Sequence, residues 1–134
     1  MIDIDKIYIG MKASCARVIT DLDVENFAKL SGDANPIHID EEYALKSRYK
    51  KKIAHGLFVS SFFSSLFGTK LPGKGCVYVS QNLNFKRPIY IGDEVKAEIE
   101  VIKVDVSKKR IYFKTFCKIK NKIAIDGIAE IFVP

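Results

Sequence analysis

The sequence predicts an α+β domain in which a curved antiparallel sheet of about five strands wraps one long central helix. Three observations carry that expectation. The run Ile53–Thr69 contains no Lys, Arg, Asp or Glu and interleaves four phenylalanines with four serines. From Cys76 onward apolar residues recur every second position, in strand-length runs at hairpin spacing. A helix without charges needs cover on its faces, and the late strands are the available cover.

The 134 residues suit one domain spanning 1–134, and 48% hydrophobic content is enough for a core. Cys15, Cys76 and Cys117 are an odd set without a CxxC pair, which argues against a disulfide framework or a zinc site. Met-Ile-Asp-Ile-Asp-Lys at the N-terminus is too polar for a signal peptide, so a cytoplasmic protein is expected. The net charge of +6 is unevenly placed. Residues 1–45 carry nine acids and four bases, a net −5, whereas residues 46–134 carry seven acids and eighteen bases, a net +11. Such asymmetry points to an anionic partner, either nucleic acid or a phosphorylated cofactor. The basic clusters Lys50-Lys51-Lys52 and Lys108-Lys109-Arg110 are short, and no nucleic-acid motif accompanies them.

In chain order, an extended lead-in gives way to a strand around Met11–Ile19. Thr20 and Asp23 form a capping box, and Val24, Phe27, Ala28 and Leu30 follow at helical spacing. Gly32 stands where helices often stop. Asp40 caps the next short helix, with Glu41 and Glu42 in its first turn and Lys46 and Arg48 near its end. In Ile53–Thr69, Phe58, Phe62 and Leu66 fall in one register and Val59, Phe63 and Phe67 in another. The small serines on the remaining face predict a helix buried nearly all round, starting near Gly56 and stopped by Gly68 and Pro72-Gly73. It is too serine-rich for a membrane span, which needs about 20 mostly apolar residues. One strand follows from Cys76 to Phe85, then Ile91-Gly92-Asp93 turns. The next face is Val95, Ala97, Ile99 and Val101, after which the phase slips to Ile102, Val104 and Val106, predicting a bulge. Ile111–Lys120 and Ile123–Val133 complete the strands. One helix covers only part of such a sheet, so a second copy, a homodimer, is expected.

Between the first helix and the charge-free run lies the chemistry. Phe27–His38 places an acid, Asp33, and an imidazole, His38, in one short non-helical segment bounded by Gly32 and Pro36. Such a segment can hold an acid–base pair in fixed relation. Taken singly, its residues are also ordinary turn formers. The start of the charge-free helix offers unpaired N–H groups and a positive dipole end, and the Gly56 N–H is the candidate donor to a developing oxyanion. A carboxylate beside His38 is expected to raise its pKa.

Phe27–Ala44, written Phe-x-x-Leu-Ser-Gly-Asp-x-Asn-Pro-x-His-x5-Ala, resembles the signature of the MaoC-like, R-specific enoyl-CoA hydratases. Ala54-His55-Gly56 resembles their second block. Leu71-Pro72-Gly73, then Tyr78-x-Ser-Gln-x-Leu-x-Phe-x-Arg-Pro and Ile91-Gly92-Asp93, resemble the third. The resemblance implies a hot-dog fold, a dimer and acyl-CoA substrates. It implies that Asp33 and His38 act on one bound water to hydrate a trans-2-enoyl-CoA to the R-3-hydroxyacyl-CoA. Asp33 is favoured as base and His38 as acid, although the sequence does not order the roles. Coenzyme A is part of the substrate, its phosphates suit the basic half of the chain, and no other cofactor and no metal is expected. Ser64 is a candidate to orient Asp33, with a packing serine equally open. His55 reads as a structural residue at the helix start. Phe58, Phe62, Phe63 and Phe67 are core residues first, with a secondary expectation that some crowd the acyl tunnel. The alternatives are a thioester hydrolase on the same fold, against which the absence of an acid in Ile53–Thr69 counts, and a non-catalytic acyl-CoA binding module. A hydratase acting on carrier-linked thioesters also stays open.

Overall fold

The longest charge-free stretch of the chain becomes its central helix. The computed structural model describes all 134 residues. In chain order the elements are β1 (Lys12–Val18), α1 (Asp21–Ser31), α2 (Pro36–Ile39), α3 (Glu41–Lys46), α4 (Gly56–Thr69), β2 (Val77–Gln81), β3 (Asn84–Phe85), β4 (Glu94–Asp105), β5 (Arg110–Ile119) and β6 (Lys122–Phe132). The strands form one antiparallel sheet in the order β1-β4-β5-β6-β2, with β3 also paired to β6.

Local chemistry sets these boundaries. Thr20 and Asp23 make the reciprocal capping box at the start of α1. Gly32 closes α1 in the left-handed region at φ 80°, where a side chain would be strained. On β4, Val95, Ala97, Ile99 and Val101 alternate inward and are essentially inaccessible. The register shifts between Val101 and Lys103, so the predicted bulge sits at Ile102, which turns outward.

All of this apolar surface meets α4. Val59, Phe63, Leu66 and Phe67 are buried against the inward residues of the sheet. The Phe67 ring packs edge-on to Phe113 of β5 at a centroid distance of 4.8 Å. The α+β expectation of a sheet wrapped on one helix therefore holds, with two differences. The sheet has six strands, because the run Cys76–Phe85 breaks into β2 and β3 around Asn82. The Asn82 side chain accepts from the Ile128 N–H at 2.6 Å, and the Asn82 N–H donates to the Ile128 carbonyl at 3.0 Å. Second, α4 is not covered all round within one chain. Leu57, Ser61, Ser64 and Ser65 remain exposed along one stripe.

Asn82 can approach β6 so closely only because residue 127 is glycine. A Cβ there would overlap the Asn82 carbonyl oxygen. Gly127→Ala is therefore expected to unseat the β2–β3 connection and cost on the order of 1–3 kcal/mol, read as a lower midpoint in chemical denaturation.

Candidate active site

The segment after α1 is a chain of side-chain-to-backbone turns. The Ser31 hydroxyl donates to the Phe27 carbonyl at 2.7 Å and accepts from the Asp33 N–H at 3.0 Å. The Asp33 carboxylate then accepts from the Asn35 N–H at 3.2 Å, and the Asn35 side chain from the Ile37 N–H. Asn35 stays extended before Pro36, which occupies the first turn of α2. His38 thus sits on a one-turn helix, whereas the sequence reading had the whole segment non-helical.

This path leaves Asp33 exposed at a rim and buries His38 to 9% exposure. The His38 Nδ1–H donates to the Ile53 carbonyl at 2.7 Å. That carbonyl only accepts, so the neutral ring carries its proton on Nδ1 and presents Nε2 as a lone pair. The Ile53 segment is itself held by a bridge to Tyr90 and by the Ala54 N–H donating to the Ile89 carbonyl at 2.7 Å. His55, buried at the start of α4, donates its Nε2–H to the Asp33 carbonyl at 3.0 Å. The two imidazoles stack at 3.8 Å with 28° between their planes.

Burial is the dominant influence on His38 and pulls its pKa below the ordinary 6.5. The Ile53 carbonyl and the Asp33 carboxylate oppose this, and the neighbouring His55 reinforces it. The expected rise through Asp33 is therefore reversed: desolvation of a buried ring outweighs a carboxylate that stands at an exposed rim. At neutral pH the His38 ring is therefore neutral.

Asp33, His38, His55 and Gly56 line one side of a cleft of about 390 Å³. Leu57, Phe85, Ile89 and Ile125 supply apolar wall, and Arg48, Lys86 and Arg87 supply cations. Lys86 pairs with Asp126 at 2.9 Å, whereas Arg48 and Arg87 make no ion pair. α4 begins here without a side-chain cap, so its first N–H groups are not satisfied that way. One carboxylate oxygen of Asp33 and one ring nitrogen each of His38 and His55 lie within 4.8 Å of one another, a grouping the sequence reading did not foresee. Two of the four ring nitrogens carry protons bonded to carbonyls and have no lone pair for a metal. What remains unengaged is the Nε2 lone pair of His38, on a ring that lines the cleft together with Asp33.

Two groups of sequence candidates lie away from the cleft. Ser64 is not beside Asp33. It lies two turns beyond Gly56, about 12 Å along α4, in a separate groove with Ser60, Ser61 and Tyr78. None of the four phenylalanines of α4 lines the cleft. Phe62, Phe63 and Phe67 are core, and Phe58 packs on Phe27 at 5.5 Å. Gly56 lines the cleft as a candidate donor should, and a Cβ there would strike the Phe85 ring. Sequence reasoning missed Phe85, Arg48 and Arg87 as cleft residues. The Phe-x-Arg-Pro motif was the available signal for two of them. His55, a structural residue at the helix start by sequence, also lines the cleft and contacts both Asp33 and His38.

Comparison with known proteins follows this geometry. A profile of the MaoC like domain matches residues 8–127. An (R)-specific enoyl-CoA hydratase of Rhodospirillum rubrum is 43% identical over 125 residues, 93% of this chain and 87% of that protein. An (R)-hydratase from A. caviae involved in PHA biosynthesis superimposes with a TM-score of 0.93 at 36% identity, covering 96% of this chain and 98% of that one. An R-hydratase from Pseudomonas aeruginosa, solved unliganded, also gives 0.93 at 37% identity over 99% of this chain and 86% of that one. The fold is that of these hot-dog hydratases, and the chain belongs to the MaoC-like dehydratase family.

Proposed function

We propose that this chain hydrates trans-2-enoyl-CoA to R-3-hydroxyacyl-CoA, and runs the reverse dehydration, on one water held between Asp33 and His38. The observation that carries the reading is the open His38 Nε2 beside the Asp33 carboxylate, in a cleft that also receives the start of α4. The neutral, Nδ1-protonated ring supports His38 as the group that takes the proton, with Asp33 accepting the second hydrogen and aiming the oxygen. This reverses the roles favoured from sequence. As the water oxygen bonds C3, its proton passes to Nε2, the C2–C3 π pair shifts between C1 and C2, and the carbonyl π pair moves onto the thioester oxygen. An N–H of the first turn of α4, Gly56 first among them, meets that oxygen. The imidazolium then returns its proton to C2, and the thioester carbonyl re-forms. No other cofactor enters the sequence of steps.

The remaining parts of the reading concern binding and assembly. Arg48 and Arg87, without carboxylate partners at the cleft, suit the phosphates of coenzyme A. The exposed stripe of α4 and the exposed β2 residues Val77 and Val79 flank one groove at a free sheet edge, which suits a second copy. Leu57 lines both that groove and the cleft, so a partner seated there would help close the site. The three thiols are unpaired, and no helix is long and apolar enough to cross a membrane. A cytoplasmic setting suits both.

The first test follows the ultraviolet absorbance of crotonyl-CoA. Wild type is expected to consume it, with Asp33→Asn and His38→Ala each reducing kcat/KM by about 10²- to 10⁴-fold. Crotonyl-CoA and longer enoyl thioesters bound but left unhydrated would sink the reading in favour of a binding module. Protonation of His38 removes the base, so kcat/KM is expected to hold at neutral pH. It should fall only as pH drops through a value below 6.5. Arg87→Ala and Arg48→Ala are expected to raise KM by roughly tenfold with kcat little changed, the signature of lost uniform binding. Light scattering is expected to give twice the 15.1 kDa chain mass, and Val79→Lys to shift the population toward monomer.

A further inference from the structure

His55 is the one side chain that touches both members of the proposed pair, and the chemistry above gives it no task. It is 3% exposed. Its backbone is pinned on both sides, since its carbonyl accepts from the Val59 N–H in α4 and the preceding Ala54 N–H is bonded to Ile89. Its ring is clamped between Phe27, at 4.8 Å, and His38, at 3.8 Å. Its Nε2–H is committed to the Asp33 carbonyl, and its Nδ1 is buried with no hydrogen-bond partner. A proton on Nδ1 would be a buried donor without an acceptor, whereas a lone pair there is the milder vacancy. The ring is therefore built to carry one proton, on Nε2.

We propose that His55 is a positioning residue for hydration. Its Nε2–H fixes the Asp33 backbone, and its stacked face holds the His38 ring against rotation with Nε2 turned to the cleft. The proposal rests on the hydratase reading and assigns to one residue the job of keeping acid and base in register. The two contacts are separable, because one uses the edge of the ring and the other its face. The face has a second consequence. His55 covers His38 from water, and a charge on His38 would have to form against another imidazole. The other ionisable groups lining the cleft are Asp33 before α2, Arg48 and Tyr49 after α3, and Lys86 and Arg87 after β3. None of them stacks on the His38 ring. Removing the stacked flat face therefore exposes that ring and moves the acid limb of the pH–rate profile upward, toward the ordinary histidine value.

The chain has only two histidines, so histidine-selective ¹⁵N labelling reports these two rings alone. At pH 8 the wild-type spectrum is expected to show one ring protonated on Nδ1, His38, and one on Nε2, His55, assigned with His38→Ala. His55 protonated on Nδ1 would overturn the proposal, whether or not any variant folds. In the crotonyl-CoA assay, His55→Phe keeps a flat ring but loses the donor. It is expected to lose kcat on the order of 10- to 100-fold with KM little changed and the acid limb in place. His55→Gln keeps an N–H donor but loses the face, and its acid limb is expected to move up while more of kcat survives. Wild-type kcat and an unmoved limb in both variants would refute the positioning role. A fully active His38→Ala would instead refute the hydratase assignment of the pair, and the tautomers would still be read independently.

Discussion

The structure depends on burying one face of a helix that has no charge to offer water. α4 presents Val59, Phe63, Leu66 and Phe67 to the sheet, and the inward residues of β4, β5 and β6 close over them. A buried leucine-, isoleucine- or phenylalanine-sized side chain contributes roughly 1.5–3 kcal/mol, so this interface outweighs any single polar contact in the chain. It also fixes where α4 begins. The helix axis is set by its contacts with the strands, and Gly56 is thereby held beside Phe85 and the Ala54–Ile89 bond. The cleft exists because a rigid core aims the first turn of α4 at the loop that follows α1.

The Asp33–His38 segment is a second layer laid on that core. Asp33 and His38 are five residues apart, yet their environments differ sharply. The Asx turns through Asp33 and Asn35 hold the carboxylate at a rim, while Pro36 starts a helix turn that drives His38 inward. Burial then decides the sign of the His38 shift. A ring that is neutral at physiological pH and has its Nδ1–H engaged can do only one thing with a water, which is to accept from it. Role assignment thus follows from solvation rather than from proximity of the two side chains.

Most of the fold was legible in the sequence because it is written locally. The Thr20–Asp23 box, the glycine at φ 80°, the Asp40 cap and the phase slip at Ile102 are all short-range signals, and all are present in the structure. The pairing of Asp33 with His38 was legible for the same reason. What was not legible depends on long-range approach. The split of β2 from β3 needs Asn82 to meet β6 across Gly127, about 45 residues away in sequence. Ser64 was misplaced because sequence spacing gave its helix face but not what lay opposite. The phenylalanines of α4 read as core residues first, and Phe62, Phe63 and Phe67 are core, while none lines the cleft where the secondary expectation would have put some of them. His55 was read as structural, and its contacts with Asp33 and His38 appear only once α1, α2 and α4 are assembled.

The same long-range logic narrows the meaning of the net +11 after residue 45. Much of that charge is already engaged. Lys114 shares Glu100 with Lys12, Lys86 pairs with Asp126, and Arg110 with Glu130. Lys103 and Lys118 lie over Tyr112 and Phe116. These contacts lie at or near the surface and contribute little to stability. They leave the long-range field positive, which draws an anionic substrate toward the molecule. Contact with that substrate is a different matter, because it needs cations free of local partners at the cleft itself. Arg48 and Arg87 make no ion pair there, although Arg48 lies over the Tyr49 ring, and a guanidinium suits a phosphate better than an ammonium does because it can donate two parallel N–H bonds. A charge imbalance spread over most of the chain thus leaves, in the lining of the cleft, two arginines without carboxylate partners beside apolar wall residues.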